Sequence, residues 1–357
     1  MIDFPTQRYA LIALASAALF GLSTPLAKLL LDQVSPAVLA GLLYLGSGLG
    51  LGVAWMFRAI LSGRRGWPAK AVSLARRDLP WLAGSVASGG IFAPLLLLWG
   101  VSGMPAADAS LLLNTEAVLT ALVAAMFFGE AVGTRVWIAS ALLLAAGALL
   151  SYQPGAGAPV SLHAIAVVAA CLCWALDNSF TRNIAAGDAL TIAMAKGLVA
   201  GAVNLVLGLA AGGSLPGPTP LAAALALGAA SYGASLVLYI IALRHLGSAR
   251  TGAHFATAPF IGAAVAIALG EPLTGLFLAA LAMMVAATWL VLTEHHAHLH
   301  VHARLAHAHR HRHDAHHRHG HEGRGMAEDQ DHSHWHVHEP LSHSHPHLPD
   351  LHHRHRH

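Results

Sequence analysis

Charge and cysteine are both scarce in this sequence. Asp, Glu, Lys and Arg together make up 10% of its 357 residues, against about a quarter in soluble domains. Up to Thr293 histidine is almost missing as well, with only His163, His245 and His254. A soluble helix needs a charged or polar face, so the shortage of charge excludes a solvated helical protein over most of the chain. The only cysteines are Cys171 and Cys173, too few for a disulfide framework. Two positions apart on a helix they point to roughly opposite faces, and they read as small buried hydrophobes rather than metal ligands. There is no phosphate-binding loop, dinucleotide glycine motif or Ser-His-Asp order, and the segments between apolar runs are too short for an ATPase domain. An enzyme is therefore not expected, and any work the chain performs would draw on an ion gradient.

Long apolar runs take the place of charge. A membrane span needs about 20 mostly apolar residues, and ten segments qualify: 9–30, 37–57, 80–101, 105–128, 133–151, 161–181, 189–211, 220–243, 249–269 and 274–293. They are apolar all round, and Gly and Pro within them are tolerated in lipid-embedded helices. Small-residue runs such as "GLLYLGSGLGLG" (41–52) suit close helix packing. The N-terminal run reads as a retained first span, because it is longer than the apolar core of a signal peptide. The expected fold is an all-α polytopic membrane protein of ten helices.

The basic residues set an orientation. With a cytoplasmic N-terminus, Arg8, Arg58, Arg64, Arg65, Lys70, Arg76, Arg77, Arg135, Arg182, Arg244 and Arg250 all fall inside. Only Lys28, at the edge of the first span, falls outside. Positively charged loops stay inside, so both termini are expected in the cytoplasm of a cell with this protein in its inner membrane.

The chain also repeats itself. "FFGEAVGTRVWIASALLLAAGALL" (127–150) matches "ALGEPLTGLFLAALAMMVAATWL" (268–290), with Gly129-Glu130 against Gly270-Glu271. A looser match joins "LFGLSTPLAK" (19–28) to "CWALDNSFTR" (173–182). Two repeats of five helices enter the membrane from opposite sides, the inverted-repeat design of secondary transporters, with substrate held between the halves.

Ten helices in paired five-helix sets, each closing its fourth helix on Gly-Glu, resemble the drug/metabolite transporter superfamily, EamA type. "ASLLLNTEAVLTALVAAMFFGE" (109–130) is similar to that family's fourth helix and "SARTGAHFATAPFIGAAVAIALGE" (248–271) to its ninth. The resemblance covers residues 8–293 and implies one repeat at 8–151, a second at 161–293, and export of a solute. Family members export amino acids, metabolites, drugs and, in a few branches, metal ions, so the resemblance does not name the cargo.

Ionisable or amide side chains inside a bilayer are costly and mark pathways. Asn114 and Glu116 in the fourth span, Asp177 and Asn178 in the sixth, Lys196 and Asn204 in the seventh and His254 in the ninth are the candidates. Lys196 is expected to pair with Glu116 or Asp177, in a bridge that is either permanent or breaks as protons and substrate bind. Glu130 and Glu271, at helix ends, read as structural.

The chain from Glu294 on is unlike the rest. It holds 24 of the 27 histidines, mostly in H-x-H steps. The candidate metal ligands are His295, His296, His298, His300, His302, His307, His309, His311, His313, His316, His317, His319, His321, His332, His334, His336 and His338. In an extended chain, alternate residues face the same way, and neutral imidazole suits nickel, cobalt, zinc and copper. Residues 294–357 are therefore expected to be a disordered, polydentate cytoplasmic tail that binds divalent nickel, cobalt or zinc. No other cofactor is required. The expected function is proton-driven export of such a metal, the tail collecting or sensing it; the alternative is export of a small organic metabolite or drug, with the tail only buffering metal. The partners are the lipid bilayer, a metal ion or small solute as cargo, and protons as coupling ion, with no nucleic acid and a homodimer allowed.

Overall fold

The computed structural model describes residues 4–61, 78–128, 134–152, 161–184 and 189–292, and in the tail 296–302, 305–311, 332–338 and 341–347. The first span is α1 (Phe4–Gly21) followed by α2 (Ser23–Leu31), and the second is α3 (Pro36–Leu61). The third consists of α4 (Leu79–Ser85), a π-helical segment (Val86–Phe92) and α5 (Ala93–Ser102). The fourth is α6 (Ala106–Leu112) and α7 (Thr115–Phe128), and the fifth is α8 (Thr134–Ser151). The second set comprises α9 (Leu162–Asn183), α10 (Ala189–Ala210), α11 (Pro218–Gly228), a second π-helical segment (Ala229–Ala234), α12 (Ser235–Phe255), α13 (Ala258–Ala268) and α14 (Gly275–Leu292). Among the described residues nine stretches are long and apolar enough to cross a membrane, and the shorter apolar helix Gly275–Val291 supplies a tenth. The all-α polytopic fold expected from the sequence is the fold found.

Although α12 is helical throughout, it is not straight. The rings of Tyr239 and Phe255 lie 5.1 Å apart, whereas 16 positions of straight helix would separate them by about 24 Å. The chain turns back between them, which divides the eighth span from the ninth.

The helices are apolar on every side, so close packing in lipid depends on small residues. The second and seventh spans, α3 and α10, show this best. A Cβ at Gly48 would come within 2.7 Å of the Leu198 backbone, and one at Gly208 within 2.7 Å of the Val38 backbone. Large side chains such as Leu11, Trp137, Leu144 and Trp289 are exposed on the outside, where lipid is their solvent. One buried cluster joins α5, α6, α8, α9, α13 and α14, and a second joins α2, α3, α5 and α11.

The two halves repeat more than their helix count. The π-helical segments open at Val86 and Ala229, 143 positions apart. The fourth and ninth spans are interrupted after Leu112 and Phe255, again 143 apart. At each interruption a side chain bonds back three residues: Asn114 Nδ2 to Leu111 O at 3.0 Å, and Thr257 Oγ1 to His254 O at 2.6 Å. These donors also stand 143 apart, and each shares its carbonyl with the backbone amide of the same residue.

The tail is a separate compact unit, His295–His357, apart from Met1–Glu294. Its described residues form four strands: β1 (His296–His302), β2 (Leu305–His311), β3 (His332–His338) and β4 (Leu341–His347). β1 pairs antiparallel with β4, and β2 with β3. Where the sequence suggested no fixed structure, these segments lie in ladders, because the H-x-H period of two is also the period of a strand. His295, His313, His316, His317, His319 and His321 lie outside the described residues.

Candidate transport site

The third span crosses the sixth and seventh at its π-helical segment. Such a segment releases backbone carbonyls from their usual helical partners, and in lipid each must find a donor. Gly89 O accepts Tyr44 Oη at 2.6 Å and Trp174 Nε1 at 3.2 Å. Gly90 O accepts Asn204 Nδ2 at 2.9 Å. Asn204 is fully buried, and its amide oxygen has no partner. Three other spans are thus tied to two adjacent glycines of the third.

Asp177 lies against the same spot. A Cβ at Gly89 would land on its carboxylate. Lys196 Nζ pairs with Asp177 Oδ2. The other carboxylate oxygen accepts Ser85 Oγ at 2.5 Å and Thr181 Oγ1 at 3.2 Å. The lysine and aspartate side chains are 18% and 9% exposed, so the pair is largely withdrawn from solvent. An unpaired charge there would be expensive.

Asn178, the next residue on α9, faces the fourth span. Its Nδ2 donates to Glu116 Oε1 at 3.1 Å and to Thr120 Oγ1 at 3.5 Å. Glu116 stands in the first turn of α7, where the free amides of a helix start favour a carboxylate. One helix, α9, therefore holds the ion pair on one side and the Glu116 contact on the other. Two hydrogen bonds here join residues of different repeats, Ser85 to Asp177 and Asn178 to Glu116.

The choice left open for Lys196 falls on Asp177. Asn114 is turned back onto its own helix break, with Met284 Sδ at 4.0 Å. His254 is half-buried at the matching break of the ninth span. Cys171 is buried against the Leu112 carbonyl at 3.8 Å, as a small hydrophobe would be. Among the described residues no three His, Cys, Asp or Glu side chains converge as a metal-ligand set. An aromatic wall joins the halves instead: Phe20 to Tyr232 (5.8 Å), Tyr232 to Tyr44 (5.7 Å), and Phe20 to Phe255 (5.3 Å). A cavity of about 300 Å³ lies elsewhere, lined by Ser35, Pro36, Trp99 and Gly208 among others. It has no ionisable side chain, so the polar network is the better candidate.

Reading the sequence missed Ser85, Thr181, Tyr44 and Trp174. Ser85 and Thr181 are small hydroxyls that a membrane helix carries for many reasons, and only their nearness to Asp177 makes them part of a site. The one available signal was the Gly89-Gly90 doublet, which allows a second backbone or carboxylate to approach closely.

The chain matches the model of the EamA-like transporter family over residues 7–152 and again over 161–293. An uncharacterized transporter of Methanothermobacter thermautotrophicus (strain Delta H) is 27% identical over 266 residues, which cover 71% of this chain and 77% of the relative. A crystal structure of a protein 19% identical covers 80% of this chain and 95% of that one, with a TM-score of 0.57; at that identity the likeness is one of fold. Two inverted five-helix halves, a polar network across their junction and a family match over each half lead to one conclusion: the chain belongs to the EamA-like transporter family.

Proposed function

We propose that this transporter is a secondary-active exporter driven by proton exchange, with Asp177–Lys196 as its charge switch and Glu116 as the neighbouring proton or cargo site. The observation that carries this reading is a withdrawn ion pair whose carboxylate is also held by Ser85 of the other repeat. In the closed pair, Lys196 neutralises Asp177 and Ser85 ties the halves together. A proton or a cation arriving at Asp177 displaces the ammonium and loosens Ser85 at the same time, which couples charge to the relative position of the repeats. Opening such a pair without compensation costs about 3–5 kcal/mol. That cost keeps the switch shut until a proton or cargo arrives. One pH unit of gradient supplies about 1.4 kcal/mol per proton.

For cargo, the histidine density of residues 294–357 supports a divalent transition metal, nickel, cobalt or zinc, gathered at the cytoplasmic face and passed outward. A second reading, a small organic solute with the tail only buffering metal, is favoured by the aromatic wall Phe20–Tyr232–Tyr44 and by the lack of a converging ligand set among the described residues.

The test is nickel, cobalt and zinc accumulation in inside-out vesicles by the intact protein, a truncation after Thr293 and Glu116→Gln. Gradient-dependent accumulation lost in Glu116→Gln supports metal antiport, and the truncation measures the tail's share. Absence of metal flux in every variant overturns the metal cargo and leaves the organic reading.

A further inference from the structure

Two charged side chains grip the α5–α6 connection at the end of the bundle away from the ion pair. His163, at the start of α9, packs against Gly103 in this connection, and 14 positions of helix put Asp177 about 21 Å further along. Lys28 Nζ donates to the carbonyls of Val101 (2.7 Å), Ser102 (3.0 Å) and Met104 (3.1 Å). Glu271 accepts the amides of Ala106 and Ala107, one on each carboxylate oxygen, both at 2.7 Å. It is aimed there by Gly270, whose φ of +106° ends α13 in a left-handed turn. Lys28 belongs to the first repeat and Glu271 to the second, so the connection is held from both halves. These are charge-assisted bonds, the cation on carbonyls ending one helix and the anion on amides beginning the next.

Between this grip and the break at Leu113–Asn114 lies α6, only seven residues long, and Glu116 stands just past the break. Against α13 the short helix buries Ser110, 1% exposed, beside Gly262, which also meets the Gly21 backbone. A short rod clamped at one end and interrupted at the other can pivot at the interruption once the clamp lets go.

We propose that Lys28 and Glu271 are positioning residues of the transport cycle, the latch that keeps the mouth beside α6 closed. The latch is shut while cargo is loaded from the Asn178 side. Release of Glu271 from the two amides lets α6 swing at Leu113–Asn114 and carry Glu116 toward the opposite side. The proposal rests on the transport reading only in that last step, since the swing itself is measurable without cargo.

The experiment uses the full chain in lipid nanodiscs, with Cys171→Ala and Cys173→Ala to remove native thiols and Ser110→Cys as reporter. Labelling by a bulky maleimide should be slow in this parent. It should rise about tenfold in Glu271→Gln and in Lys28→Met as the population shifts toward the swung state. A reporter at Asn178→Cys should slow by a similar factor in the same variants. Unchanged labelling of Ser110→Cys in both variants, with only the melting temperature lowered, overturns the latch and leaves a structural brace. Faster labelling in a protein that moves no cargo keeps the latch and overturns the exporter reading instead.

Discussion

Lys196 is paired with Asp177 on the neighbouring helix of its own repeat, while Ser85 of the other repeat holds the second carboxylate oxygen. One carboxylate thus answers to both halves of the protein. Removing either charge alone strands the other in a medium that penalises it. Asp177→Asn and Lys196→Met should each destabilise by about 3 kcal/mol, and the double variant by clearly less. Thermal melting in detergent measures this; a loss in the double variant equal to the sum of the two single losses would show that the pair is not coupled. All three variants should lose transport.

The Glu116–Asn178 contact gives a prediction about protons. Glu116→Gln keeps the shape and the amide partner but cannot take up a proton. Transport by that variant should no longer respond to an imposed pH gradient, while cargo binding is retained within about tenfold. Asn178→Ala should keep its pH response at a reduced rate. Flux in proteoliposomes at two imposed gradients separates these outcomes, and a Glu116→Gln protein that still follows the gradient would remove Glu116 from the coupling.

Gly89 leaves room for one carboxylate and nothing else. Its Cβ would occupy the place of the Asp177 carboxylate, so Gly89→Ala must push the pair apart. Overpacking of this kind costs about 1–3 kcal/mol, enough for a tenfold or greater loss of transport with the protein still inserted. Gly252→Ala, where a Cβ meets nothing within 4 Å, is the control and should change transport less than twofold, roughly.

The tail makes a prediction about metal. Imidazole binds metal only when neutral, and free histidine titrates near pH ~6.5. Nickel or zinc binding to the intact chain, followed by equilibrium dialysis, should therefore be full above pH 7.5, roughly, and fall steeply as pH drops through 6. A chain truncated after Thr293 should retain less than about a tenth of the bound metal. Undiminished binding after truncation would place the metal sites in the membrane unit.

Composition and order sufficed for a good deal of this protein. Ten apolar runs, an odd number of spans in each half and a repeated Gly-Glu specified a ten-helix inverted repeat. The cost of bare backbone and charge in lipid leaves few other solutions. The same cost marks Glu116, Asp177, Lys196 and Asn204 in the sequence itself, because such residues are conspicuous in an apolar run.

Sequence could not decide who meets whom. Lys196 had two carboxylates within plausible reach, and the crossing of the third span at Gly89 gave it Asp177 and gave Glu116 to Asn178. Glu271 read as an ordinary helix end until its carboxylate was seen on the Ala106 and Ala107 amides, 164 or more positions away in the chain. The π-helical segments and the breaks at Leu113 and Ala256 were equally silent, since small apolar residues carry no local mark of a missing hydrogen bond. Hydrophobicity acts residue by residue and can be read along the chain. Pairing depends on which helices cross at which height, and only the packed bundle determines that.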